Sequence, residues 1–154
     1  MKEKTPIRIR VPEDIVLAAK KWKGCRQEHF LVITLNGAHD VIKVHMVTKG
    51  LVNRTIVHPR ECFYHAIKDF AASVIFVHNH PSGRSVPSEE DDSITNRLCL
   101  ASSILGIHVL DHVIVTSSNN FFSYRQNSPH FFKDEYNFND GENFVRLLAS
   151  ERNK

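Results

Sequence analysis

Residues 73–91 read SVIFVHNHPSGRSVPSEED, and this stretch decides the fold. Ser73 to His78 is a continuous apolar run closed by a histidine, the length and composition of a buried strand. Asn79 to Pro87 follows with two prolines, a glycine and two serines, which marks a loop. Ser88 then opens the longest helical pattern in the chain. Ile94, Leu98, Leu100, Ala101, Ile104 and Leu105 share one broad face of it, and Gly106 ends it.

The same reading extends to both sides. Pro12 with Glu13 and Asp14 opens a helix whose apolar positions Ile15, Val16, Leu17, Ala19 and Trp22 run to Gly24. Glu28 to Leu35 reads as a buried strand, Asn36-Gly37 as a hairpin turn, and Asp40 to Val47 as the returning strand. A short strand is expected over 51–57 and a helix from His58 through Ala72. After Gly106, Ile107 to Thr116 and Phe121 to Tyr124 pair around Ser117 to Asn120, and a modest helix is expected from Glu142 to Glu151. The expected class is α/β of the α+β kind, a mixed sheet with helices packed on it.

Length and composition suit one globular domain. The chain has 154 residues, is 42% hydrophobic and 24% charged, and carries a formal net charge of +3. A chain this long buries roughly two thirds of its unfolded surface, so it needs neither metal nor disulfide to fold. Cys25, Cys62 and Cys99 are odd in number and form no CxxC pair, which suggests neither a disulfide framework nor a cysteine zinc site. The beginning has no apolar leader and no stretch is long enough to span a membrane, so a cytoplasmic location without membrane partners is expected. Ten histidines stand out.

His78 and His80 lie two apart at a strand end, so both imidazoles can face one cation at about 2.0 to 2.1 Å. Asp91 follows in the first turn of the helix, and the intervening loop can fold that turn back over the strand end. Two histidines and a carboxylate make three ligands. A tetrahedral zinc held this way keeps its fourth position open for water, as a catalytic site does. Attack by that water needs a base, and Glu28, an acid at the start of an apolar strand, is the best placed in sequence. Ser88 could donate its hydroxyl to a developing oxyanion, but S-x-x-D from Ser88 to Asp91 is also a helix capping box, and the two uses are compatible. Asp111 and His112 sit in a strand expected near the metal, where either could orient a ligand imidazole or make a structural hydrogen bond. His29, His39, His45, His65, His108 and His130 show no ligand spacing, and Cys62 and Cys99 fall on apolar helix faces.

These residues resemble the JAMM (MPN+) metalloprotease motif, and within it the RadC family. The resemblance rests on Glu28-His29-Phe30, Leu35-Asn36, Val57 to Glu61, His78 to Ser88 with Asp91, Ile94-Thr95, and Gly106-Ile107 with Leu110 to Ile114. It covers residues 10–126, which divides the chain into a basic N-terminal extension (1–9), a RadC-like JAB/MPN domain (10–126) and a C-terminal tail (127–154). It implies a JAB/MPN-type curved mixed sheet flanked by helices, related to cytidine deaminases. It also implies one zinc per chain on His78, His80 and Asp91, with Glu28 as general base and Ser88 assisting the oxyanion, acting on a peptide or protein substrate. Arg84 stands where the family usually has an acid, and a further proline usually precedes the position of Pro87. The helix-hairpin-helix region of longer members is not among these residues, so no DNA-binding role of that region carries over.

Rival readings can be set against the text. A nucleobase deaminase needs H-x-E with P-C-x-x-C, and that cysteine pair is missing. The letters HNH at 78–80 do not make an HNH nuclease, whose residues are dispersed over a longer finger. A DNA-repair accessory remains open, because Lys2, Lys4, Arg8, Arg10, Lys20, Lys21, Lys23 and Arg26 make the N-terminal part basic, though more weakly than a dedicated nucleic-acid binder. A non-catalytic MPN scaffold has no need of an open ligand set with a base beside it.

Overall fold

The computed structural model describes residues 5–50 and 57–132. Residues 51–56 of the strand expected over 51–57 lie outside the described residues, as does the helix expected over 142–151, and Val57 belongs to no strand. Five strands form one open mixed sheet in the order β2-β1-β3-β4-β5. They are β1 (His29–Leu35), β2 (Val41–Lys49), β3 (Ser73–His80), β4 (His108–Thr116) and β5 (Phe121–Ser123). All neighbours are antiparallel except β3 and β4. A parallel pair needs a long crossover, and helix α3 (Glu89–Leu105) provides it.

Both central strands are buried on both faces, which is why β1 and β3 read as near-continuous apolar runs. The two-residue period sorts their side chains. Phe30, Val32, Val74, Phe76 and Ile114 pack against α3 and against helix α2 (Pro59–Lys68), whose Cys62, Phe63 and Ala66 are buried there. Leu31, Ile33, Leu35, Ile75, Val77, Val113 and Val115 face the other way, onto Ile15 of helix α1 (Pro12–Ala18) and onto Ala19, which caps it. Phe76 meets Phe30 and Phe63 with ring centroids 5.9 Å apart in each case. Removing it as Phe76→Ala is expected to cost about 3–5 kcal/mol. Cys62 and Cys99 are small core residues, and burial pushes the Cys99 thiol up to about 12.

Several boundaries differ from expectation. Strand β3 runs through Asn79 to His80, past the expected end at His78, β2 is displaced from Asp40–Val47 to Val41–Lys49, and Tyr124 opens the short helix α4 (Tyr124–Asn127) instead of closing β5. Helix α1 stops at Ala18 because Lys20 and Trp22 donate to carbonyls three residues back, at 3.3 and 2.9 Å, so the chain runs on in turns towards Gly24. Helix α2 stops at Lys68, four residues short of Ala72. Phe70 takes a left-handed φ of 52°, its N–H donates to Ile67 C=O, and Ala71 N–H donates to Ala66 C=O, which is a Schellman ending. The hairpin loop runs from Asn36 to Asp40, and its left-handed residue is His39, at φ 63°, not Gly37. The Asn36 side-chain oxygen accepts from Ala38 N–H and Asp40 N–H, so an Asx turn organises the loop. At that tip the N-terminal segment is tied down, with Arg8 bridged to Asp40. Among the described residues no helix is long and apolar enough to cross a membrane.

Candidate metal centre

The parallel pair places the carboxyl end of β3 beside the first turn of α3, at the strand-end position where open α/β sheets hold ligands. His78 points to the α3 face, in step with Val74 and Phe76, and His80 follows two residues on. Asp91 comes from the third position of α3. Ser88 Oγ accepts from Asp91 N–H at 3.2 Å, and the Asp91 carboxylate accepts from Ser88 N–H at 2.7 Å, a complete capping box. The cap thus fixes the ligand-bearing turn, while Ser88 itself is exposed.

His78 Nε2 lies 2.9 Å from His80 Nε2 and 3.0 Å from Asp91 Oδ1, and His80 Nε2 lies 3.4 Å from Asp91 Oδ2. Among the described residues these three form the group able to hold a metal, with donor atoms within 4.8 Å of one another. Donors around a tetrahedral zinc at about 2.0–2.1 Å would sit about 3.3 Å apart, so the set fits such an ion. Hydrogen bonds fix the imidazoles to suit. His80 Nδ1 donates to Arg84 C=O at 2.8 Å, which leaves its Nε2 lone pair for a cation. That contact uses the backbone of Arg84 and is indifferent to its side chain, so the departure at this position does not reach the ligand.

His112 lies behind His78, fully buried, with its Nε2 2.8 Å from His78 Nδ1. Its own Nδ1 is 2.6 Å from Thr95 Oγ1, which donates to Asp91 C=O at 2.6 Å. With His78 ligating through Nε2, its Nδ1–H donates to His112. The His112 proton must then sit on Nδ1 and bond Thr95, whose hydroxyl hydrogen is already committed to Asp91. One direction of donation runs through the chain and closes on the third ligand. Asp111 touches no ligand. Its carboxylate accepts from His112 N–H (2.7 Å), Ser123 Oγ (2.5 Å) and Arg125 N–H (2.9 Å), holding β4 to the residues after it. Tyr124 stacks on His112 at 5.0 Å and 7° and donates to Asp92 at 2.7 Å.

The charges favour a positive charge between these groups, whether a proton on Nε2 or a cation in its place. Burial would raise the Asp91 carboxyl, but hydrogen bonds from His78 and His80 outweigh it and hold the group well below the usual carboxylate range. Burial lowers His80, yet its bonds to Asp91 and Arg84 and the charges of Asp91 and Glu28 raise it overall. Glu28, half-buried just ahead of β1, is therefore within electrostatic reach of the cluster. Burial, reinforced by the neighbouring His78, holds His112 far below its ordinary value, so it is a neutral imidazole.

Thr95 and Asn79 lie in stretches that carry the resemblance, but the reading of the sequence gave neither a role. Thr95 lies one helical turn beyond Asp91, a spacing that could have marked it. Asn79 sits between the two histidines on the opposite face of β3. Outside this site, His45 and His65 stack at 4.2 Å, and His45 Nε2 lies 2.6 Å from Asp69.

The family model described as RadC-like JAB domain matches residues 9–129. A UPF0758 protein of Methanospirillum hungatei is 51% identical over 116 residues, covering 74% of this chain and 52% of its own length. One from Shouchella clausii is 49% identical over 108 residues, with 70% and 47% covered. One from Desulforamulus reducens is 44% identical over 124 residues, with 80% and 54% covered. The chain spans about half the length of the curated relatives it matches.

Proposed function

This chain belongs to the RadC-like JAB domain family, and from that membership we propose that it is a zinc-dependent metallohydrolase that cleaves a peptide or isopeptide bond. The observation that carries the reading is the convergence of His78, His80 and Asp91 donor atoms within 4.8 Å, with the Glu28 charge in reach. Zinc held there would supply Lewis acidity, acidifying water and polarising a carbonyl oxygen. Glu28 takes the proton of the attacking water and passes it to the departing nitrogen. Ser88 Oγ uses a lone pair to cap α3, which leaves its hydrogen to donate to the developing oxyanion. His112 and Thr95 hold the His78 ring in the tautomer that presents Nε2.

The test is metal content followed by hydrolysis. One zinc per chain is expected, lost in His78→Ala and Asp91→Ala. Glu28→Gln should keep its zinc and lose about 10²–10⁴-fold in turnover of peptide and isopeptide-linked fluorogenic substrates. Protein that takes up no zinc at neutral pH when zinc is supplied would falsify the reading.

A further inference from the structure

We propose that Asn79 is a positioning residue for Glu28, gripping the backbone on both sides of it so that the carboxylate faces the metal ligands. The inference rests on the reading of Glu28 as the base. Residues 25–28 belong to no helix or strand, and Glu28 C=O accepts from Gly50 N–H at 2.9 Å, one step beyond the ladder of β1 and β2. The Asn79 side chain holds the residues on either side of Glu28. Its Oδ1 accepts from His29 N–H at 2.7 Å, and its Nδ2 donates to Gln27 C=O at 3.0 Å and to Cys25 C=O at 3.2 Å. Two of these three groups belong to the immediate neighbours of Glu28.

The alternation of β3 makes this possible. His78 and His80 face α3 with their rings, and Asn79, between them and 1% exposed, faces the other way, onto the segment that leads into β1. The strand that supplies two metal donors thereby sets the distance between those donors and the base. The side chain has to offer one acceptor and two donors from a short stem. Asparagine does so, whereas aspartate lacks the donors and serine has only one. A base displaced by about 1 Å can lose about 10²-fold in rate while ligands on the strand stay in place, so the effect should fall on the proton-transfer group and spare the metal.

The experiment compares the full-length wild type with Asn79→Ala, each labelled with ¹³C at glutamate carboxyls. Zinc is the probe, and Glu28→Gln assigns the Glu28 signal. Three quantities are read: zinc per chain and its Kd, the change in the Glu28 carboxyl resonance on adding zinc, and the exchange rate of the His29 amide. In Asn79→Ala we expect one zinc per chain with Kd within about threefold of wild type. The His29 amide should exchange at least about tenfold faster, and the zinc response of Glu28 should be lost. An Asn79→Ala protein that keeps the wild-type Glu28 response overturns the inference and leaves Glu28 as base. Loss of zinc along with the response also overturns it, because Asn79 would then serve the ligands. A wild type whose Glu28 signal ignores zinc overturns the reading of the base itself, and the inference with it. Should Asn79→Ala fail to fold, Asn79→Ser, which can satisfy at most part of the set, is read in the same way.

Discussion

Thr95 connects two of the three metal-facing residues without touching the metal position. Its hydroxyl hydrogen goes to Asp91 C=O, so its oxygen can only accept from His112, and His112 can in turn only accept from His78. Thr95→Val keeps the shape and removes both roles. The buried His112 Nδ1–H then has no partner, which is expected to cost about 1–3 kcal/mol in stability. The His78 ring also loses its fixed tautomer, for which zinc affinity should fall about 10–100-fold. Competition with a chromophoric chelator reads the affinity, and an unchanged Kd would show that the chain of hydrogen bonds does not hold the ligand. This pair was half visible beforehand. His112 stood out as a histidine in a strand expected near the site, whereas the spacing of Thr95 one turn beyond Asp91 places it on the same helix face but does not name its partner until α3 is laid against β4.

At the level of elements, the order of strands and helices was legible because it rests on periodicity, and the ends were not because they rest on side chains drawn to distant partners. Helix α2 is the clearest instance. Thr34 on β1 and His45 on β2 both reach the Asp69 carboxylate, and one residue later Phe70 adopts the left-handed conformation that ends the helix. None of this shows in the string from Pro59 to Ala72. Phe70 is 94% exposed, so its ring adds little burial, while a non-glycine left-handed residue costs about 1–2 kcal/mol. Phe70→Gly is therefore expected to stabilise the protein by about 1 kcal/mol or less once the extra freedom of unfolded glycine is subtracted, seen as a higher urea midpoint at unchanged m. A lower midpoint would mean that the ring packs where the helix ends. Asp69 makes the same junction dependent on pH. Burial would raise its carboxyl, but the bonds from Thr34 and His45 prevail and its pKa is lowered on folding. A carboxylate lowered on folding stabilises above its unfolded pKa, and that gain disappears as pH falls through the folded value. Asp69→Asn should thus be destabilised at pH 7, with the gap to wild type starting to close as pH falls below the unfolded carboxyl value of about 3.9 and closing fully only through the lower folded value. A stability gap that does not narrow at all as pH falls from 7 into that acid range would show that the charge is not what the junction uses.

For the whole molecule, the question is whether a metal bound by His78, His80 and Asp91 would build the domain or only act within it. Two apolar clusters lie on opposite faces of the sheet, and the sheet passes between them with β1 and β3 buried throughout. The residues able to hold a metal come from the end of β3 and the start of α3, elements already fixed by strand pairing and by the Ser88–Asp91 cap. Removing an ion from that corner leaves both cores intact, unlike a small zinc domain, whose folding energy is the binding energy. Protein stripped with a chelator is expected to keep its far-UV spectrum and to melt cooperatively. Zinc should then raise the melting temperature by mass action, since free zinc at 100 times Kd adds about 2.7 kcal/mol. In a domain of this size that is a rise of about 5–11 °C. The rise should vanish in His78→Ala, which lacks one of the proposed ligands, and persist in Glu28→Gln, which lacks only the proposed base. A chelated wild type that loses its secondary structure would make the metal part of the fold, and a rise that survives in His78→Ala would place the ion elsewhere on the protein.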